Sequence, residues 1–211
     1  MEYIHRLQDG LYSWTYTGSD GNIRENLEDG IKGTEEQRKQ RAQRAAARRL
    51  KRLVLANITP SSLFLTLTYS DEKCNEQEFY KAVVNYFKNY MKCGWIYVFE
   101  RGKLNGRLHV HAFIFSPENY IVPRWKHGIY HIESIDDQIV RVANYIAKYP
   151  FKDNDYKLPE FVSRRFRSST GLNRPVRIHD FEIDDCEILY SHDLVVDDVV
   201  YQRQTIYKTL T

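Results

Sequence analysis

Between Trp95 and Pro117 the chain reads WIYVFERGKLNGRLHVHAFIFSP, two arms that alternate in character about a glycine-containing turn. Leu108, Val110, Ala112 and Ile114 interleave with His109, His111, Phe113 and Phe115, while Trp95, Tyr97 and Phe99 interleave with Ile96, Val98 and Glu100. Side chains with a period of two stand on opposite faces of a strand, so the stretch predicts an antiparallel hairpin. Asn105-Gly106 is a strong turn signal. A two-residue loop there sets Glu100 opposite His111, whereas a four-residue loop from Lys103 to Gly106 sets it opposite His109. Either register puts the carboxylate and both imidazoles on one face, because directly opposed residues project to the same side. A one-residue bulge would turn Glu100 away. Glu100, His109 and His111 are therefore candidate ligands for a divalent metal with positions left open for substrate.

A chain of 211 residues can bury one good core without disulfides. Cys74, Cys93 and Cys186 are an odd, scattered set with no CxxC pair, which suits a reducing compartment and disfavours a cysteine-based zinc site. No apolar run approaches the length of a membrane span or has the form of a signal peptide, so the expectation is a soluble cytoplasmic protein with no membrane partner. The net charge of +3 decides little, but Arg38 to Arg52 is intensely basic and Asp180 to Asp198 is acidic.

The first 33 residues scatter aromatics and glycines and read as a loop-rich arm, with a short hairpin turning at Gly18 to Gly21. From Thr34, with Gln37 completing a capping box, a long helix is predicted with a thin stripe of Ala42, Ala46, Leu50 and Leu53. Its other faces carry Arg38, Arg41, Arg44, Arg48, Arg49 and Arg52. Such a run is either a solvated face or a phosphate-contacting one, and the near-absence of acids after Glu36 favours the second.

Beyond Pro60, Leu63 to Tyr69 alternates as a strand, with Thr66 and Thr68 on one side. Glu76 to Lys92 predicts a helix whose inward stripe is Phe79, Val83, Tyr86, Phe87 and Tyr90. After the hairpin, Gly128 to Ser134 alternates as a further strand. His127 and His131 flank its start and read as structural or surface residues. The stretch QIVRVANYIAKY then predicts a helix with Ile139, Val142, Ile146 and Tyr149 toward the sheet and Arg141, Tyr145 and Lys148 on the adjacent stripe. Phe161 to Arg167 reads as a short basic helix or strand, and Val176 to Ile183 and Asp193 to Tyr207 as strands. The order strand, helix, strand, strand, strand, helix predicts an α+β architecture, an antiparallel sheet with helices packed on it, of roughly the ferredoxin-like kind.

A neutral tyrosine is a poor nucleophile and needs help at both ends of the reaction. Lys148, one turn from Tyr145, can stabilise the phenolate or neutralise a phosphate. A hard ion such as Mg²⁺ or Mn²⁺ at Glu100, His109 and His111 can polarise the electrophile.

FLTLTYSDE (Phe64 to Glu72), RLHVHAFIF (Arg107 to Phe115) and NYIAKY (Asn144 to Tyr149), in this order, resemble the three motifs of the HUH-superfamily rolling-circle replication initiators. The likeness is greatest to those of small single-stranded DNA phages of the gokushovirus type and related plasmids. RRFRSSTGL (Arg164 to Leu172) resembles a basic segment of the same phage proteins, and Arg164, Arg165 and Arg167 are accordingly added, with Arg141, to the candidate DNA contacts. The resemblance implies an RRM-like endonuclease core at 59–152, preceded by the arm (1–33) and basic helix (34–58) and followed by a C-terminal extension (153–211) packed on it. It implies a single-tyrosine enzyme that nicks single-stranded origin DNA, stays attached to the 5′ end and later rejoins ends. No GxxxxGK[ST] motif is present, so the expected partners include a host helicase and polymerase in the bacterial cytoplasm. The alternatives are a single-tyrosine transposase of the same superfamily and a non-catalytic single-strand-binding module.

Overall fold

The computed structural model describes residues 2–8, 11–17, 34–70, 75–102, 106–135, 143, 158–162, 166–178, 186–196 and 199–209. Two compact units emerge: Met1–Ala56 with Asn173–Thr211, and Asn57–Leu172.

The second unit carries the predicted hairpin. Its sheet has the strands β3 (Leu63–Tyr69), β4 (Gly94–Arg101), β5 (Leu108–Phe115), β6 (Gly128–Ser134) and β7 (Phe166–Ser168), in the order β6-β3-β5-β4-β7. Every neighbouring pair is antiparallel. The four strands β6-β3-β5-β4 reproduce the order of a split βαβ sheet, in which β3 and β4 run parallel on either side of β5 and a helix joins them. The protein is thus of the α+β class, as the element order predicts.

That joining helix, α2, spans Glu76–Asn85 and opens with a capping box: Asn75 accepts from the Glu78 amide at 2.9 Å, and the Glu78 carboxylate accepts from the Asn75 amide at 2.9 Å. Its apolar stripe buries Phe79, Val83, Tyr86 and Phe87 against Leu65, Leu67, Tyr97, Phe99, Val110 and Ala112, all from one face of the sheet. Phe79 is completely buried and meets Tyr69 and Trp125 edge-on, with ring centroids 5.9 and 5.7 Å away. The predicted stripe fails only at Tyr90, which is 56% exposed. A π-helical turn over Tyr86–Tyr90 is the cause. The extra residue per hydrogen-bonded turn changes the angular position of residue 90 on the helix, and its ring stacks on that of Tyr86 at 6.5 Å. Of the helix predicted after β6, only Ala143 lies among the described residues; it is helical and fully buried.

The first unit holds a second antiparallel sheet, β8-β1-β2-β10-β9, formed by β1 (Glu2–Gln8), β2 (Leu11–Thr17), β8 (Val176–Ile178), β9 (Cys186–Val196) and β10 (Val199–Thr209). This corrects the expected loop-rich arm. Gln8 pairs with Leu11, leaving Asp9-Gly10 between them, a two-residue turn signal that the scattered aromatics obscured. The anticipated turn at Gly18 to Gly21 lies outside the described residues. The strand expected from Asp193 to Tyr207 is instead two, paired through Val196 and Val199.

The basic helix α1 spans Glu35–Leu55. Its apolar stripe deepens along its length: Ala42 is exposed, contrary to expectation, whereas Leu50, Leu53, Val54 and Leu55 are buried. Truncating the most enclosed ring of the second unit, Phe79→Ala, is expected to cost about 3–5 kcal/mol, seen as a lower urea midpoint at unchanged slope.

Candidate active site

In the hairpin, Gly102 N–H donates to the Arg107 carbonyl at 2.9 Å and Gly106 N–H to the Gly102 carbonyl at 3.0 Å. Gly106 takes φ +61°, a left-handed conformation that glycine adopts without strain. This closure selects the four-residue register, in which Glu100 pairs with His109 and Val98 with His111, with no bulge between β4 and β5. On the other side of β5, Thr68 pairs with His109 and Thr66 with His111. Two rows therefore cross the same face: Thr68-His109-Glu100 and Thr66-His111-Val98.

Each threonine holds one imidazole. The Oγ1 atoms of Thr66 and Thr68 lie 3.1 Å from Nδ1 of His111 and His109, respectively. The rings consequently share an orientation, 11° apart in plane with centroids 6.4 Å apart. Nε2 of His111 lies 3.0 Å from Oε2 of Glu100, so a neutral His111 donates Nε2–H to the carboxylate and accepts the Thr66 hydroxyl at Nδ1. A hydroxyl can donate or accept, which lets the threonines serve either tautomer. Phe64 stacks on His111 at 5.8 Å and helps to bury it.

His109 is half-buried, and desolvation, reinforced by the nearby His111, pulls its pKa below the ordinary imidazole value; Glu100 opposes the shift. A neutral imidazole is the form that ligates metals. Its Nε2 lies beside Gly102, where a Cβ would come within 2.5 Å of that nitrogen. A side chain at 102 would require that ring to shift.

Arg101 ties the hairpin to α2. Its guanidinium donates to both carboxylate oxygens of Glu76, at 2.6 and 2.8 Å, and to the Gly106 carbonyl at 2.6 Å. The Glu76 contact raises its pKa. Thr66, Thr68, Gly102 and Arg101 were all missed as site residues in the sequence. The threonines' alternation with Leu65 and Leu67 was visible, but their partners depend on strand order.

In kind, the donor set suits a divalent cation: two imidazoles with Nδ1 tied down and one carboxylate. In position, Glu100 and His111 are hydrogen-bonded to each other, and among the described residues no three His, Cys, Asp or Glu side chains converge as a ligand group.

The remaining candidates are dispersed. Tyr145, Lys148, Arg141, Arg164 and Arg165 lie outside the described residues, as do Tyr149 and the side chains of Gln37 and Arg41. Arg38, Arg44 and Arg49 of α1 are exposed, and Arg48 and Arg52 are half-buried, with their pKa values lowered by burial and by neighbouring arginines. Arg167 pairs in register with Tyr97 and therefore projects to the helix side of the sheet, opposite the histidines; there it donates to the Tyr80 hydroxyl at 2.8 Å. His131 is exposed and bonded to Glu133 at 2.8 Å, a surface role as expected.

Residues 62–154, less than half of the chain, match the family model of replication-associated protein ORF2. The match spans all three motifs singled out in the sequence and supports a replication initiator-type protein with a role in DNA replication. No curated protein and no solved structure matches the chain. Among the described residues, no helix is long and apolar enough to cross a membrane.

The lowered pKa of His109 makes the unfolded chain the stronger proton binder in the window just below the ordinary imidazole pKa of about 6.5. Stability should therefore rise with pH across that window and fall on acidification through it. Because Glu100 raises the pKa of His109, Glu100→Gln is expected to move its NMR titration to still lower pH; a move upward would refute the assigned neighbourhood.

Proposed function

We propose that this protein is an HUH-type replication initiator that nicks single-stranded origin DNA by tyrosine transesterification and later rejoins the ends. The observation that carries the reading is the Thr-latched pair His109 and His111 beside Glu100, lying within the stretch that matches replication-associated proteins.

Glu100, His109 and His111 are the residues that would hold a divalent ion, Mg²⁺ or Mn²⁺, whose chemistry is to neutralise charge on the scissile phosphate. Ligation through Nε2 requires the proton of His111 to sit on Nδ1, where it donates to Thr66. Tyr145 is the nucleophile: its oxygen forms a bond to phosphorus as the bond from phosphorus to the 3′-oxygen breaks. The products are a 5′-phosphotyrosine and a 3′-hydroxyl, and the phenol proton passes to the departing oxygen or to solvent. Lys148 offsets negative charge on the phenolate or phosphate. Rejoining is the reverse reaction. Single-stranded origin DNA is the substrate, α1 and the other arginines supply phosphate contacts, and a host helicase and polymerase supply unwinding and synthesis in the bacterial cytoplasm.

Incubating the chain with labelled single-stranded origin oligonucleotides and Mn²⁺ should give a covalent adduct on a denaturing gel. Tyr145→Phe should abolish it, and His111→Ala should reduce it by at least about 10²-fold while sparing DNA binding. Failure of every origin-like strand to form an adduct, with binding retained, would favour a non-catalytic single-strand-binding module.

The threonine latches give a second test. Thr66→Val and Thr68→Val keep the strand shape and remove the Nδ1 partners, and each should weaken Mn²⁺ binding by about 10–100-fold in calorimetry. Unchanged affinity would remove the latches from the metal site.

A further inference from the structure

On the helix side of the same sheet, the π-helical turn and the segment leading into β6 enclose a cleft of about 110 Å³. Tyr86, Tyr90, Arg124, Trp125, Lys126 and His127 line it, and among the described residues no carboxylate does. Its walls differ in character. Trp125 is 4% exposed, packed edge-on to Tyr86 at 5.3 Å, and its indole N–H has no acceptor among the described residues. Tyr86 donates its hydroxyl to the Pro123 carbonyl, and burial pushes its pKa upward, so it remains a neutral, fixed wall. Tyr90, by contrast, lines the cleft with a ring that is 56% exposed and stacked on Tyr86. Arg124, Lys126 and His127 are all exposed around it.

A large exposed aromatic ring costs solvation unless something covers it, and its neighbours say what that is. An exposed aromatic platform beside cations, with no carboxylate among the described residues that line the cleft, has the elements of a nucleotide subsite on a single strand. Any base stacks on such a ring, and the cations follow the backbone. An apolar partner would leave the cations unmatched, and a neutral peptide would make no use of them. We propose that this cleft binds one nucleotide of single-stranded DNA, its base stacked on Tyr90 and its phosphate held by Arg124 and Lys126. It is a second contact for the strand, away from the histidine face. The choice of DNA over RNA rests on the nicking reading given above; the stacking and charge arguments do not.

The test uses the full chain and two probes of equal length, oligo-dT and an abasic strand with the same phosphates, followed by fluorescence anisotropy. Tyr90→Ala is expected to weaken oligo-dT binding about tenfold, or about 1.4 kcal/mol, and to leave the abasic strand unaffected, since only the stacked base is lost. Tyr90→Phe should restore binding, which separates stacking from misfolding. Arg124→Ala and Lys126→Ala should weaken both strands and reduce the salt slope by about 0.7 each. Oligo-dT binding that is indifferent to Tyr90→Ala, or equal losses for both strands, would overturn the proposal. Adduct formation by the unaltered chain is scored separately. An adduct with Tyr90-independent affinity sinks the cleft alone, and Tyr90-dependent affinity without an adduct sinks the nicking reading alone.

Discussion

Side chains alternate along a strand, so a slip of one residue in β3, β5 or β4 would carry that strand's groups of the candidate site to the opposite face. Thr66, Thr68, His109, His111 and Glu100 meet because three strands keep one unbroken register. That register is held from both sides. On the helix side, Leu65, Leu67, Val110, Ala112, Tyr97 and Phe99 would be driven into water by the same slip. At the hairpin end, Arg101 clamps the turn to Glu76 of α2. The hydrophobic burial thus enforces a polar geometry that could not enforce itself, since each hydrogen bond on the histidine face contributes only about 1 kcal/mol net.

The histidine face is also graded. Toward one end, Phe64, Phe113, Ile96 and Val98 are buried beside His111; toward the other, His109 is half-exposed next to Gly102. The two imidazoles therefore sit in different surroundings although their backbones and threonine partners are equivalent. His111 is packed, stacked and already bonded to a carboxylate, whereas His109 keeps its Nε2 close against Gly102.

Much of this was legible in the sequence, and the gaps have physical causes. Period-two patterning located β3 and β6 to the residue and placed Glu100 with both histidines, because same-face alignment survives either loop length. The loop length itself was not legible: Asn105-Gly106 suits both closures, and the choice falls to the Gly102 and Arg107 backbone pair. The outward swing of Tyr90 was hidden because a π-helical turn leaves the heptad-like pattern of Phe79, Val83, Tyr86 and Phe87 intact up to the point where it acts. The first hairpin was hidden for a different reason. Asp9-Gly10 was present as a turn signal, but its flanking strands belong to a sheet completed by residues after 173, and long-range pairing leaves little local trace.

The two faces of the main sheet are less independent than their chemistry suggests. The chain leaves the cleft at His127 and enters β6 at Gly128, which has φ +148° and approaches β3 so closely that a Cβ would fall 2.2 Å from the Thr68 carbonyl oxygen. Thr68 is the residue whose hydroxyl holds His109. The chain from Lys126 and His127, the backbone approach of Gly128 to Thr68, and the Thr68 hydroxyl on His109 therefore join the two surfaces. A packed backbone contact cannot yield gradually, because no space remains to absorb a shift. Any ligand that reorders residues 124–127 must either leave Gly128 where it is or move Thr68 with it, and the absence of a side chain at 128 is what allows β6 to lie close enough for that constraint to hold.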